Sequence, residues 1–310
     1  MSSAPDRTFA AFGMIGIYAC VIGFADNYVR VVAAEAGLWQ FHATRSALAL
    51  PLIAMIAMLL RHRFLPLNLR AVAARSAIHG LAMLVYFGAL AFLPVAIVAA
   101  GLFTAPLFVL LIARVVYAEP ISPVQIIAVL TGFGGVILLL GPSAMAGATL
   151  AALLPVLAGA LYAMGNIATR RWCAGESAET LLAGFFAALL TLGCVGLVVL
   201  AVYPLPVADG TAGFIARGWV TPSSTVMFWV AVQAAVSVVG VGLMIRAYQI
   251  AAAATVSVYE YTILPVSAVW GLLLWGEALT LTAIIGMGLI ALAGVVIALA
   301  PVQSPTAARQ

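Results

Sequence analysis

His79, Met83 and Tyr86 stand at i, i+4 and i+7, so on a helix they share one face. Tyr162 with Asn166, and Gln233 with Ser237, repeat the four-residue spacing, while Tyr259, Glu260 and Tyr261 cluster about one turn before Pro265. Phe103 and Thr104 precede Pro106 in the same way. All of them lie in long apolar runs, where an uncompensated polar group is costly and turns toward a bundle interior. Such a lining, apolar with a few hydrogen-bonding points, suits an amphiphilic molecule of amino-acid or small-drug size. A filter for bare ions would instead need rings of carbonyls or charges.

Two readings stay open for each ionisable member. Glu260, the one acidic residue well within a run, is either a packing charge paired with an Arg or with Tyr hydroxyls, or a group that recognises a substrate amine or couples to protons. His79 is either satisfied by a neighbouring hydroxyl or carbonyl, or touches the ligand. Asp26 and Arg30, four residues apart at the end of the first run, read as an interfacial pair.

Other chemistries lack their residues. Cys20, Cys173 and Cys194 are scattered and read as small apolar fillers. There is no His/Asp/Glu cluster with metal-ligand spacing, no serine with a convincing base partner and no glycine-rich phosphate loop. The expectation is no enzyme, no metal, no cofactor and no transport powered by this chain's own ATP hydrolysis. The 13 basic residues are all Arg, without a patch interleaved with aromatics, so nucleic acid is not an expected partner.

The elements that must position these residues are membrane helices. Of 310 residues, 66% are hydrophobic and 7% charged, with mean hydropathy +1.23; a soluble domain carries about 25% charged residues. A crossing needs about 20 apolar helical residues, and that ruler predicts spans at 9–29, 39–60, 73–93, 95–116, 124–141, 150–169, 180–203, 225–248, 252–275 and 280–300. The first is too long for a signal h-region and reads as a membrane helix. Pro66, Pro94, Pro120, Pro123, Gly141-Pro142 and Gly175 mark breaks, and the 204–222 connector is the longest and the one expected to flex. With a cytoplasmic N-terminus, Arg7, Arg61, Arg63, Arg70, Arg75, Arg114, Arg170, Arg171, Arg246 and Arg309 fall on the cytoplasmic side, against Arg30, Arg45 and Arg217 outside: ten to three. Both termini are then cytoplasmic, and Trp39, Trp219 and Trp275 read as an interfacial belt.

The chain also repeats itself. Gly135–Pro142 (GVILLLGP) matches Gly294–Pro301 (GVVIALAP), Pro106 and Pro265 keep the same offset, and Glu119 and Glu277 match after a one-residue slip. The predicted fold class is all-α and integral to the membrane: ten helices as two five-helix repeats, 1–142 and 143–310, around a central cavity. Because five is odd, the second copy enters from the other side, with Glu119 and Glu277 at opposite faces. Inverted repeats place a site near the midplane between the halves. Pro106 and Pro265 are the hinge candidates. Gly132, Gly134, Gly135, Gly286, Gly288 and Gly294 mark the fifth and tenth spans as scaffold, packed against each other.

Tyr86-Phe87-Gly88-Ala89-Leu90-Ala91-Phe92-Leu93-Pro94-Val95-Ala96 resembles the signature joining helices 3 and 4 of EamA-type members of the drug/metabolite transporter superfamily. Pro106-Leu107-Phe108, Glu119 and Gly135-Val136 continue it. Tyr162-Ala163 through Arg170-Arg171, Arg246-Ala247-Tyr248, Ala254, Pro265-Val266, Gly276-Glu277 and Gly294-Val295 are similar to the second copy. The resemblance is greatest to the bacterial amino-acid exporter branch, aromatic amino-acid exporters included. It implies a carrier whose cavity is lined by helices 1, 3, 4, 6, 8 and 9, with helices 5 and 10 as support. One departure is Ile22-Gly23-Phe24, where the family usually has Trp-Gly.

The expected function is export of amino acids, aromatic ones included, or related small metabolites across the bacterial inner membrane by alternating access. The alternative is a broad exporter of drugs, purines or organic cations. The expected partners are the small-molecule substrate and membrane lipid, and the working unit is a monomer.

Overall fold

The computed structural model describes residues 7–91, 93, 95–141 and 150–299. Phe92, Pro94, Pro142, Pro301 and Arg309, used above, lie outside them. Of the described residues 79% are helical and none is in a strand, and ten segments among them are long and apolar enough to cross a membrane.

The helices are α1 (Thr8–Asp26), α2 (Val29–Glu35), α3 (Leu38–Leu59), α4 (Leu69–Ala89), α5 (Val95–Leu102), α6 (Ala105–Val115), α7 (Pro123–Leu140), α8 (Leu153–Arg171), α9 (Ala178–Val202), α10 (Ser224–Ile250), α11 (Ala253–Glu260), α12 (Ile263–Trp275) and α13 (Leu281–Leu299). Their starts follow capping chemistry, in which a side-chain oxygen accepts an otherwise orphaned N–H. Asn68 accepts from Ala71, Ser177 from Thr180 and Ser223 from Val226, and Ser122 closes a capping box with Gln125 ahead of Pro123. The Asn68 cap starts α4 four residues before the expected 73.

Three expected spans are interrupted. The first turns at Asn27–Tyr28 and continues as α2 to Glu35. The fourth and ninth break ahead of Pro106 and Pro265. A proline lacks the N–H and its ring clashes with the carbonyl four residues back; those carbonyls belong to Leu102, where α5 stops, and Tyr261, just past α11. Threonine hydroxyls take carbonyls beside each break: Thr104 Oγ1 donates to Gly101 O at 2.6 Å and Thr262 Oγ1 to Tyr259 O at 2.7 Å.

The helices close a ring. α1 packs on α10, α10 on α3, α3 on α9, α9 on α4, α4 on α8, α8 on α6, α6 on α11, and α11 returns to α1. The most extensive seam lies outside that ring, between α7 and α13. A Cβ on Gly135 would stand 2.7 Å from Gly286 O, and one on Gly286 2.5 Å from Gly135 O, so glycine is what lets these backbones touch. Gly134 and Gly288 of the same sequence pattern have nothing within 4 Å.

Two arginines counted as connector charges are inside the bundle. Arg75 is 1% exposed and ties three helices, donating from Nε to Thr169 Oγ1 at 2.9 Å and from Nη1 to Leu181 O at 3.0 Å. Arg45 is 6% exposed on α3. Removing them from ten and three leaves nine against two, so the bias survives on fewer groups. The Asp26–Arg30 pair does not form either. The turn at Asn27–Tyr28 breaks the helical register an i, i+4 contact needs, and Arg30 Nη1 instead reaches Glu277 Oε1 at 2.9 Å and stacks over Trp275. Glu119 pairs with Arg171, the last residue of α8. Glu119 and Glu277 each follow a left-handed residue, Ala118 and Gly276, and each donates its N–H six residues back, to Ala113 O and Gly271 O.

The 203–223 connector is anchored by backbone contacts. Phe214 O accepts from Leu38 N at 2.7 Å, and Gln40 bonds both polar groups of Val220. Trp39 is half-buried against Gly196 and donates to Ile215 O, while Trp219 and Trp275 are exposed.

Candidate functional site

Glu260 ends α11 at the break before α12, and the break carries its carboxylate inward, where it is 4% exposed. Each oxygen accepts one tyrosine hydroxyl: Tyr162 of α8 donates to Oε1 and Tyr248 of α10 donates to Oε2, both at 2.5 Å. Hydrogen bonds to a carboxylate are about twice as strong as neutral ones, and a buried charge needs such partners. No arginine or histidine pairs with Glu260 among the described residues. Tyr162 also touches the Met244 sulfur.

Around this centre the first half of the chain contributes α1 and α4. Tyr18 lies beside Tyr162, within electrostatic reach of Glu260. The His79 ring stands edge-on to Tyr162 at 5.1 Å and to Phe185 at 6.0 Å. It lies flush on Gly165, where a Cβ would come within 2.5 Å of Nδ1. Asn166 interacts with both His79 and Tyr248, but at distances or angles outside hydrogen-bond geometry, which leaves both ring nitrogens of His79 and both amide atoms of Asn166 buried without a well-formed protein partner. Buried polar groups are nearly always paired; four such atoms beside a carboxylate are spare capacity for a polar guest.

The residues picked from sequence divide accordingly. His79, Tyr162, Asn166 and Glu260 come together. Met83 and Tyr86 continue the α4 face away from Glu260; Tyr86 is edge-on to Phe87 and within electrostatic reach of Asp26. Gln233 and Ser237 are buried nearer the start of α10, and Gln233 Nε2 donates to Ala25 O at 2.9 Å. Tyr259 packs edge-on to Phe12 at 5.0 Å. Phe103, in the α5–α6 break, faces Tyr261, whose ring fills the space over Gly132. Pro106 and Pro265 both sit in the first turn after a break.

Tyr18, Tyr248 and Met244 were not singled out from sequence. Tyr248 and Glu260 flank the two-residue connection Ala251–Ala252, which makes α10 and α11 adjacent in space; that tight connection was the available signal.

Residues 10–141 match the model of the EamA-like transporter family, a family of transporters and not enzymes. No curated protein matches the chain. A solved structure titled "Crystal structure of protein" is similar over 95% of this chain and 98% of that one, with a TM-score of 0.70 and 16% identity. At that identity the likeness shows the fold alone. The chain is a multi-pass membrane protein by its ten long apolar helices, and its residues 10–141 are similar to the EamA-like transporter family.

Proposed function

We propose that this protein is a secondary-type carrier that exports amino acids, aromatic ones included, or related small metabolites across a bacterial inner membrane, with both termini cytoplasmic. The observation that carries the proposal is the Glu260 cage: α1, α4, α8, α10 and α11, drawn from both halves of the chain, converge on one buried carboxylate, and His79 and Asn166 beside it hold unused hydrogen-bonding atoms.

The mechanism proposed is alternating access by two inverted repeats, 1–142 and 143–310. Three correspondences support the repeat. Glu119 and Glu277 share the same local backbone geometry, each salt-bridges an arginine of the other half, and both broken spans pair a proline with a threonine that caps the break. Rocking about the Pro106 and Pro265 breaks would expose the cage to one side and then the other. Burial of the substrate among Tyr162, Tyr248 and Met244 would supply apolar contact, and His79 and Asn166 would orient its polar groups.

A second reading, export of organic cations, is favoured by the lack of a cationic partner for Glu260 among the described residues. Counterflow in proteoliposomes with labelled amino acids, run with and without a pH gradient, tests the first reading. Glu260→Gln separates the two: it abolishes flux of organic cations and spares zwitterions. Ohmic conductance without counterflow would sink both.

A further inference from the structure

The connector between α3 and α4, residues 60–68, is fixed through its backbone and open at its side chains. α3 closes with Arg61 left-handed at φ 53°, and His62 N reaches back to Ala57 O at 2.9 Å. Glycine usually fills that position, because it takes a positive φ without strain; here an arginine does. Arg63 O then accepts from Ser177 Oγ at 2.6 Å and Thr180 Oγ1 at 3.1 Å. Glu176 Oε1 accepts from Leu67 N at 2.7 Å and Asn68 N at 2.8 Å. Glu176 is 5% exposed, and its own carbonyl accepts from Gln249 Nε2. The turn after α8 therefore clamps the connector from its buried side.

What the clamp leaves outside is apolar and cationic. Leu65, Leu67 and Leu69 are 72%, 54% and 68% exposed, and Phe64 is exposed beside them. Arg61, Arg63 and Arg70 are exposed too, and none meets a carboxylate among the described residues. The two acids nearby are spent, Glu176 on the backbone and Glu179 on His62 Nδ1 at 2.9 Å. Arg63 Nε donates to Leu65 O at 3.0 Å, which keeps cation and leucine side by side. Arg70 lies in the first turn of α4, where the helix dipole disfavours a cation. Nothing within the helix accounts for its charge.

We infer that the exposed face of residues 61–70 is a docking surface for anionic phospholipid, its arginines on the headgroup phosphates and its leucines in the adjoining acyl region. The charges are complementary, since the segment holds three arginines and no acid. The position fits as well: α3 and α4 are both of membrane length, so the residues between them start and end at the bilayer surface. Segments that mix Leu or Phe with Arg in this way settle at the headgroup–acyl boundary. Each basic residue near an anionic surface adds about fivefold in affinity. An acidic peptide would answer the arginines alone; a lipid answers both kinds of side chain. Such binding is independent of what the bundle carries.

The test puts a bimane label on Leu65→Cys in the full-length Cys20→Ala/Cys194→Ala protein in detergent. Phosphatidylglycerol or phosphatidylcholine with nitroxide-labelled acyl chains is then titrated in as quencher. Phosphatidylglycerol should quench with at least ~10-fold tighter apparent affinity. Arg61→Gln/Arg63→Gln/Arg70→Gln should bring the two lipids to parity, and the corresponding triple lysine variant should keep the preference. Glu176→Ala raises the net positive charge but releases the connector, so the preference should fall. Size-exclusion profiles establish that each variant is folded. Parity with all three arginines present, a preference unmoved by the triple glutamine variant, or one that rises in Glu176→Ala would overturn the inference. So would a label quenched by aqueous iodide and by neither lipid, which turns the face toward water or an acidic protein. Loss of the preference in millimolar inorganic phosphate, at matched ionic strength, would make it a free-anion site instead.

Discussion

The Tyr162 hydroxyl donates to Glu260 Oε1 at 2.5 Å, joining two residues 98 positions apart. With Tyr248 on the other oxygen, this bond is what makes a charge-bearing side chain tolerable in the bundle. Tyr162→Phe or Tyr248→Phe should each cost about 1.5–3 kcal/mol, the usual worth of a hydrogen bond to a charged group. The double variant should depart from additivity, since the two donors share one acceptor. Thermal unfolding of the single and double variants in detergent, repeated on a Glu260→Gln background where the penalties shrink, checks this.

His79→Ala and Tyr162→Ala should each cut counterflow by roughly 10-fold or more, as expected when a contact worth at least ~1.4 kcal/mol is lost, with expression and membrane insertion intact. Gly165→Ala should reproduce the His79 phenotype without touching the histidine, because its new Cβ claims the space of Nδ1. Wild-type flux in all three would remove the cage from the transport path.

Gly135→Leu and Gly286→Leu should force α7 and α13 apart, costing at least the 1–3 kcal/mol typical of overpacking. Gly134→Ala and Gly288→Ala, which meet nothing within 4 Å, should be neutral or slightly stabilising, since alanine favours the helix. Comparing the four melting temperatures is the measurement.

Cys173, in the turn after α8, is 2% exposed, and burial pushes its thiol up to about 11, with Glu176 adding to the rise and Arg75 opposing it. A raised value keeps the thiol protonated at neutral pH, and the thiolate is the reactive form. In a Cys20→Ala/Cys194→Ala protein, maleimide labelling should therefore be slow near pH 7 and climb as pH approaches 11. Fast labelling at pH 7, followed by intact mass, would contradict the burial.

The helical frame was legible because hydrocarbon imposes a length and a composition that any sequence must display. Pro106 and Pro265 announced their breaks for the same local reason: the missing N–H and the ring clash act within four residues. The polar face of α4 and the Tyr162/Asn166 pair could be read from helical spacing. What spacing could not supply was partner identity across the ring. Tyr248 looked like a span-end residue until α11 folded back against α10 and brought Glu260 beneath it. Arg45 and Arg75 read as connector charges because a hydropathy ruler sees charge but not the rings of Phe41, Phe87 and Phe186 around Arg45, or the Thr169 hydroxyl on Arg75, that make burial bearable. The Asp26–Arg30 spacing misled because a two-residue turn, invisible in an apolar run, rotates Arg30 toward Glu277.

Arg30–Glu277 and Arg171–Glu119 sit at opposite ends of the bundle, each joining one half to the other, and all four side chains are 41–56% exposed. Pairs this open to water contribute at most about 1 kcal/mol, so ordinary thermal motion can undo either one. Under the alternating access proposed above they would be latches of a revolving door, light enough to yield one at a time and mirrored so that releasing one rim leaves the other fastened.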